Sequence, residues 1–138
     1  KSYFYNEITL QSNTVAISEE YKKFLQKCMD IVEKHVTDPN FSIKILASEI
    51  GMSHSNLYRR VKSMSGYTVT NFIRLIRLRK AAELLINTDY NINEIAYEAG
   101  FSNTKYFRTQ FVKLFGVTPS EFTKRNKPLF QKGIRIKY

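Results

Sequence analysis

Tryptophan is absent from this 138-residue chain, and cysteine, histidine, proline and glycine are scarce: one, two, three and five residues respectively. The lone Cys28 cannot close an internal disulfide, which suits a reducing, cytoplasmic setting for this segment, even where the full-length protein is membrane-anchored. It sits in a helical pattern with Phe24, Leu25 and Met29, so it reads as a core thiol. Two histidines and one cysteine, with no evident carboxylate partner for either histidine, supply no nucleophile–base set. No glycine-rich phosphate loop and no metal-ligand cluster is visible. We therefore expect no enzyme activity, no catalytic residue, no metal, no cofactor and no small-molecule site. No apolar run approaches the ~20 residues of a membrane span, and no secretory leader is recognisable. The chain opens on Lys1 rather than Met, so we expect a piece of a longer protein whose signal-sensing part lies elsewhere.

Acidic residues are the other scarcity, and their placement matters more than their number. Residues 1–49 hold 6 Lys/Arg and 7 Asp/Glu, whereas residues 50–138 hold 16 and 5. Between Glu49 and Glu83 stand seven basic residues (Arg59, Arg60, Lys62, Arg74, Arg77, Arg79, Lys80) and no acid. A solvated surface without a partner intersperses the signs. A net charge of +10 with this segregation points to a polyanion, either nucleic acid or an anionic membrane surface.

What the chain does have is helical periodicity. In Thr70–Asn87, TNFIRLIRLRKAAELLIN, Phe72, Ile73, Leu75, Ile76, Leu78, Ala82, Leu85 and Ile86 recur at three- and four-residue steps, uninterrupted by Gly or Pro. Arg74, Arg77, Arg79 and Lys80 are expected on the opposite face. Eighteen residues at about 1.5 Å each reach about 27 Å, somewhat short of the roughly 34 Å between successive major grooves on one side of DNA.

Upstream, Ser18 with Glu19 and Glu20 reads as a helix start, and Asp38-Pro39 ends that helix near His35–Thr37. Ser42 caps a short helix to Ile50, Gly51 turns the chain, and Ser53 caps His54–Met64, which Gly66 stops. Downstream, Asn91 or Asn93 opens a short helix through Ala99; Gly100 turns, Phe101 plugs the core and Ser102 caps Asn103–Phe115, stopped by Gly116. Thr118-Pro119 opens a last short helix to about Arg125. Lys1–Ser18 reads as a linker or short strand, and Pro128–Tyr138 as a basic tail or a strand using Ile134 and Ile136.

Two of these frames are copies. Ala47–Ser53 (ASEIGMS) and Ala96–Ser102 (AYEAGFS) both read Ala-x-Glu-x-Gly-apolar-Ser, and each precedes a polar helix with inward apolar residues. A small Ala facing the next helix, a Gly turn and an apolar plug is the packing logic of a helix-turn-helix. One copy is a weak signal; two joined by a rigid helix are a strong one.

The second copy, INEIAYEAGFSNTKYFRTQFVKLFGVTPSEF (Ile92–Phe122), resembles the signature of AraC/XylS-family transcription regulators, and the likeness extends over Ser18–Arg125. It implies an all-α, seven-helix DNA-binding domain of two helix-turn-helix lobes joined by a long linker helix. The expected division is a linker from a missing upstream domain (1–17), lobe one (18–66), the linker helix (69–87), lobe two (90–126) and a basic tail (127–138). The lead-in Ile17–Pro39 with FSIKILASEIGMSHSNLYR is most similar to output domains behind a receiver, as in response regulators and hybrid sensor kinases. The family implies double-stranded DNA as partner, read in two successive major grooves, and RNA polymerase recruitment by an activator.

With Leu57 and Val61 inward, the family's base-reading positions fall on Ser55, Tyr58 and Arg59. Aligning the second lobe on Phe107 takes one extra residue and gives Thr104, Lys105, Tyr106, Arg108 and Thr109. A guanidinium bonds guanine O6 and N7 together, which favours Arg59 and Arg108. Backbone phosphates are expected on Ser42, Ser53, Arg60, Lys62, Arg77, Arg79 and Lys113, and on amides at the starts of the short helices. Phe122-Thr123 stands where Tyr-Arg is common in the family. The competing readings are a non-specific architectural DNA binder and a basic module that docks an acidic partner or an anionic membrane. A methyl-accepting repair thiol at Cys28 would need neighbouring metal-ligand cysteines, and the sequence has none.

Overall fold

The computed structural model describes residues 19–38 and 40–131. Among them lie seven helices and no strand: α1 (Glu19–Lys34), α2 (Ile43–Ile50), α3 (His54–Ser65), α4 (Val69–Asn87), α5 (Ile92–Glu98), α6 (Thr104–Phe115) and α7 (Pro119–Gln131). The all-α, seven-helix architecture is the expected one. The Ser18 cap, the 1–17 linker and the strand at Ile134 and Ile136 lie outside the described residues.

Side-chain oxygens close most of the helix starts. The Ser42 hydroxyl accepts from the Ile45 amide (3.3 Å), and Ser53 from Asn56 (3.1 Å). The Asn91 side chain accepts from Glu94, whose carboxylate accepts from the Asn91 amide (2.9 Å each), a reciprocal capping box. Thr118 and Glu121 repeat that box at α7, where buried Pro119 takes the first helical position. At α6 the cap is Asn103, taking the Tyr106 amide at 2.8 Å, not Ser102. The amide oxygen of Asn103 reaches three residues on, and the helix starts one residue later than the repeat, which pairs Ser102 with Ser53, predicts.

The chain divides into two compact units at Ile76/Arg77, inside α4. The first unit buries Tyr21, Phe24, Leu25, Cys28, Met29 and Val32 of α1, Leu46 and Ala47 of α2, Leu57 and Val61 of α3, and Val69, Phe72, Ile73 and Ile76 of α4. The second gathers Leu78, Ala81, Ala82, Leu85 and Ile86 of α4 with Ile95, Ala96, Ala99, Phe101, Phe107, Phe111 and Phe122. The linker helix is thus no separate piece: its halves are core elements of different units.

Its expected basic face is corrected accordingly. None of Arg74, Arg77, Arg79 and Lys80 is exposed. Apolar residues come too densely along α4 for a single stripe, so the arginines lie within packed surroundings and bond there. The second correction concerns the C-terminal end. Helix α7 continues through Pro128 to Gln131, so residues 127–131 are helix rather than tail. Lys127 helps hold it, its Nζ donating to the Thr88 carbonyl (2.9 Å) and to Asp89 Oδ1 (2.8 Å) beyond the end of α4.

Candidate nucleic-acid interface

The sequence repeat persists as a repeat of hydrogen bonds. In the first unit the Met52 amide returns to the Ala47 carbonyl (2.9 Å) and Gly51 to Ser48 (3.2 Å). In the second, Phe101 returns to Ala96 (2.8 Å) and Gly100 to Tyr97 (2.9 Å). This pairing of bonds at a helix end needs a left-handed residue, and Gly51 (φ 79°) and Gly100 (φ 91°) supply it. The apolar residue after each glycine then turns back over its helix, and within three residues the chain enters a second helix. Both α2–α3 and α5–α6 are therefore helix-turn-helix units.

Between turn and second helix the repeat offset changes from 49 to 50. Leu57 and Val61 correspond to Phe107 and Phe111, all fully buried. Everything outward on α3 and α6 is fixed by these anchors.

On α3 the exposed residues are His54, Ser55, Asn56, Tyr58, Arg59, Lys62 and Ser63. Tyr58 is 46 % exposed, so its ring is on the surface rather than packed away. Arg59 is steered along the helix by its neighbour, Nη2 donating to the Asn56 side-chain oxygen. Asn56 was missed in the sequence, although its place three residues before Arg59 on a helix is a readable signal. The Lys62 ammonium reaches the Gly66 carbonyl at 3.0 Å, closing the C-terminus of α3 where a cation is favoured. It remains exposed, so this bond does not remove it from the surface. Ser42 and Ser53 each accept one amide as caps and keep a hydroxyl proton to donate.

On α6 the exposed residues include Lys105, Tyr106, Arg108, Thr109 and Lys113. Arg108 has no partner among the described residues. Tyr106 is 44 % exposed and leans its ring toward Phe101, with centroids 6.3 Å apart. Thr104 is half-buried and donates to Asn93 Oδ1 of α5 at 2.8 Å, tying the two helices of the motif together. Thr109 donates back to the Lys105 carbonyl at 3.1 Å.

Three residues expected on phosphates are engaged within the protein. Arg79 is only 7 % exposed, with Nη2 on Glu83 Oε2 at 2.9 Å one turn on. Arg77 is half-buried and donates from Nη1 to the Gly100 carbonyl at 3.2 Å, so it braces the turn of the second motif. Burial pushes its pKa down from the usual arginine value. Arg60 lies over the Phe24 ring, 4.8 Å from its centroid, and pairs with Glu20 at 2.8 Å. In each case the residue is basic and on the right helix, but its angular position is that of an inward flank.

Cys28 is fully buried, and desolvation raises its pKa to about 12. A thiol held protonated at neutral pH is a poor nucleophile. Among the described residues no helix is long and apolar enough to cross a membrane.

Two helix-turn-helix units, each presenting one exposed arginine on its second helix, define the class: a DNA-binding regulatory domain. A helix-turn-helix domain family matches residues 46–125, and the chain belongs to the AraC/XylS family of transcription regulators. Histidine kinase P4 of Formosa agariphila is 33% identical over 130 residues, 94% of this chain and 10% of that protein. Transcriptional activator AggR of Escherichia coli is 34% identical over 99 residues, 72% of this chain and 37% of AggR. The crystal structure of the DNA-binding domain of AdpA, a global transcriptional factor, in complex with a target DNA is similar with a TM-score of 0.62 and 25% identity, covering 73% of this chain and 90% of that one. The chain thus spans a tenth and just over a third of the two relatives' own lengths.

Proposed function

We propose that this domain reads DNA sequence through both units, with α3 and α6 seated in two successive major grooves. Arg59 and Arg108 are the principal base readers. Ser55 and Tyr58 assist in the first unit, and Lys105, Tyr106, Thr104 and Thr109 in the second. Ser42, Ser53, Lys62 and Lys113 anchor phosphates. The observation that carries this reading is the doubled motif with one exposed arginine on each second helix. The likeness to a domain solved with its target DNA supports it.

In the whole protein the domain acts in the cytoplasm as the output of an activator. A sensory or receiver domain upstream controls it, and RNA polymerase is its partner at the promoter. The likenesses to a histidine kinase and to a transcriptional activator support this arrangement.

Selection from a random double-stranded pool at physiological salt tests the reading. Two short enriched blocks about one helical turn apart are expected. An unenriched pool that still binds tightly at low salt would leave a non-specific architectural binder.

A further inference from the structure

Of the three expected phosphate contacts engaged within the protein, Arg60 lies on α3, beside Arg59. Its side chain is 33 % exposed, and Nη2 meets Glu20 Oε2 at 2.8 Å. Glu20 belongs to the first turn of α1, forty residues earlier, and its own side chain is 72 % exposed. The arginine is incompletely satisfied there: Nε is buried and makes no hydrogen bond. A carboxylate at this point occupies the hydrogen-bonding groups that a DNA phosphate takes, with the same charge.

The far end of α1 is fastened separately. Lys34 Nζ and His35 Nε2 grip the two oxygens of Glu49 on α2 at 2.8 and 2.7 Å. The His35 ring stacks on Phe41 with centroids 5.3 Å apart and planes 17° apart. Helix α1 is thereby pinned to α2 at its C-terminus while its first turn holds a side chain of α3. It spans both helices of the first reading motif.

We propose that α1 is a brake on the first unit, with Glu20 an intramolecular competitor that keeps Arg60 off the DNA backbone. A displacement of the first turn of α1 frees Arg60 to bind a phosphate, adding one contact without altering the base-reading surface. The device gives an upstream domain a lever on affinity rather than on specificity. It rests on the DNA-binding reading above.

The test uses the 138-residue chain and a short fluorescent duplex of mixed sequence, because a phosphate contact is indifferent to sequence. Glu20→Gln should tighten binding roughly two- to fivefold at low salt, the scale of one exposed ion pair released. It should also steepen the slope of log K against log salt by about one phosphate's worth. Arg60→Met keeps the contact with Phe24 and removes the charge. In that background Glu20→Gln should give no gain. Glu19→Gln, which removes a neighbouring exposed acid, should leave the slope unchanged. A flat response to Glu20→Gln, an equal gain from Glu19→Gln, or a gain that survives in the Arg60→Met background would overturn the brake while leaving DNA binding intact. No binding by the parent chain and every variant would sink the DNA reading and the brake with it.

Discussion

The two units share a scaffold and differ in everything placed on it. Their turns superimpose bond for bond, yet their cores are of different chemistry. The second is an aromatic stack: Phe101, Phe107, Phe111, Phe115 and Phe122 succeed one another with centroids 4.5–5.8 Å apart. The first is mainly aliphatic, with Phe24 and Phe72 as its buried phenylalanines. The exposed arginines of the second helices differ too. Arg59 stands two residues after its anchor Leu57, and Arg108 one residue after Phe107. One residue is about 100° of helix, so the two guanidinium groups leave their helices in different directions relative to the core. The position equivalent to Arg60 in the second unit is Gln110, which has no charge for an acid to hold. On the proposed reading the two heads present different side chains, so the two enriched blocks should not be copies of one another.

The sharpest way to break the comparison is to remove one core. Phe111 touches three other phenylalanine rings, and Phe111→Ala should cost about 3–5 kcal/mol. Leu57→Ala in the other unit should cost about 2–5 kcal/mol. Calorimetry should show each substitution lowering a different transition, and pool selection with the Phe111 variant should lose one block and keep the other. A single shared transition, lowered alike by both, would mean the units fold as one.

Next in size are the arginines. Arg59→Ala and Arg108→Ala should each cost about 1–3 kcal/mol on the selected site and relax one base pair, in different blocks. Titration against single-base variants checks this. Equal losses on random DNA would reassign either residue to the backbone.

These differences were unevenly legible in the sequence. The helices, turns and doubled motif could be read because short-range chemistry writes them: caps, glycines and three-to-four spacing. The shift of offset from 49 to 50 was also visible, since aligning Phe107 demands it. The fates of the basic residues were not. Arg60, Arg77 and Arg79 look like Arg59 in a charge count, and what separates them is the partner each meets. Glu20 is 40 residues from Arg60, and Gly100 is 23 from Arg77. Such pairings follow from packing, which periodicity along one helix does not encode. For α4 the spacing of apolar residues predicts a buried face but not that its arginines are drawn into packed surroundings as well.

Smaller effects sharpen the likeness of the scaffolds. An added Cβ at Gly51 or at Gly116 meets nothing within 4 Å, so only the left-handed backbone (φ 79° and 78°) opposes a side chain. Gly51→Ala and Gly116→Ala should therefore cost a similar amount, about 1–2 kcal/mol each, by urea unfolding. A much larger loss at one would show that its turn does more than end a helix.

The smallest effects come from acid. Glu49 of the first unit is held below its ordinary value of 4.5 by hydrogen bonds from Lys34 and then from His35. Glu121 of the second is lowered by the Thr118 backbone amide and then by its hydroxyl. A carboxyl with a depressed folded pKa stabilises the fold at pH above its unfolded value. That contribution fades as pH falls through the lowered folded value, so both losses lie below about pH 4.5. Glu49→Gln and Glu121→Gln should each flatten the fall in melting temperature over this range. Salt should tell them apart. The partners of Glu49 are side-chain cations at the surface, which ions screen, whereas Glu121 is held by a backbone amide inside a cap. Raising the salt should shrink the effect of Glu49→Gln and spare that of Glu121→Gln. If both shrink alike, the second cap owes its strength to the nearby Lys124 and Arg125 charges rather than to the hydrogen bonds of Thr118.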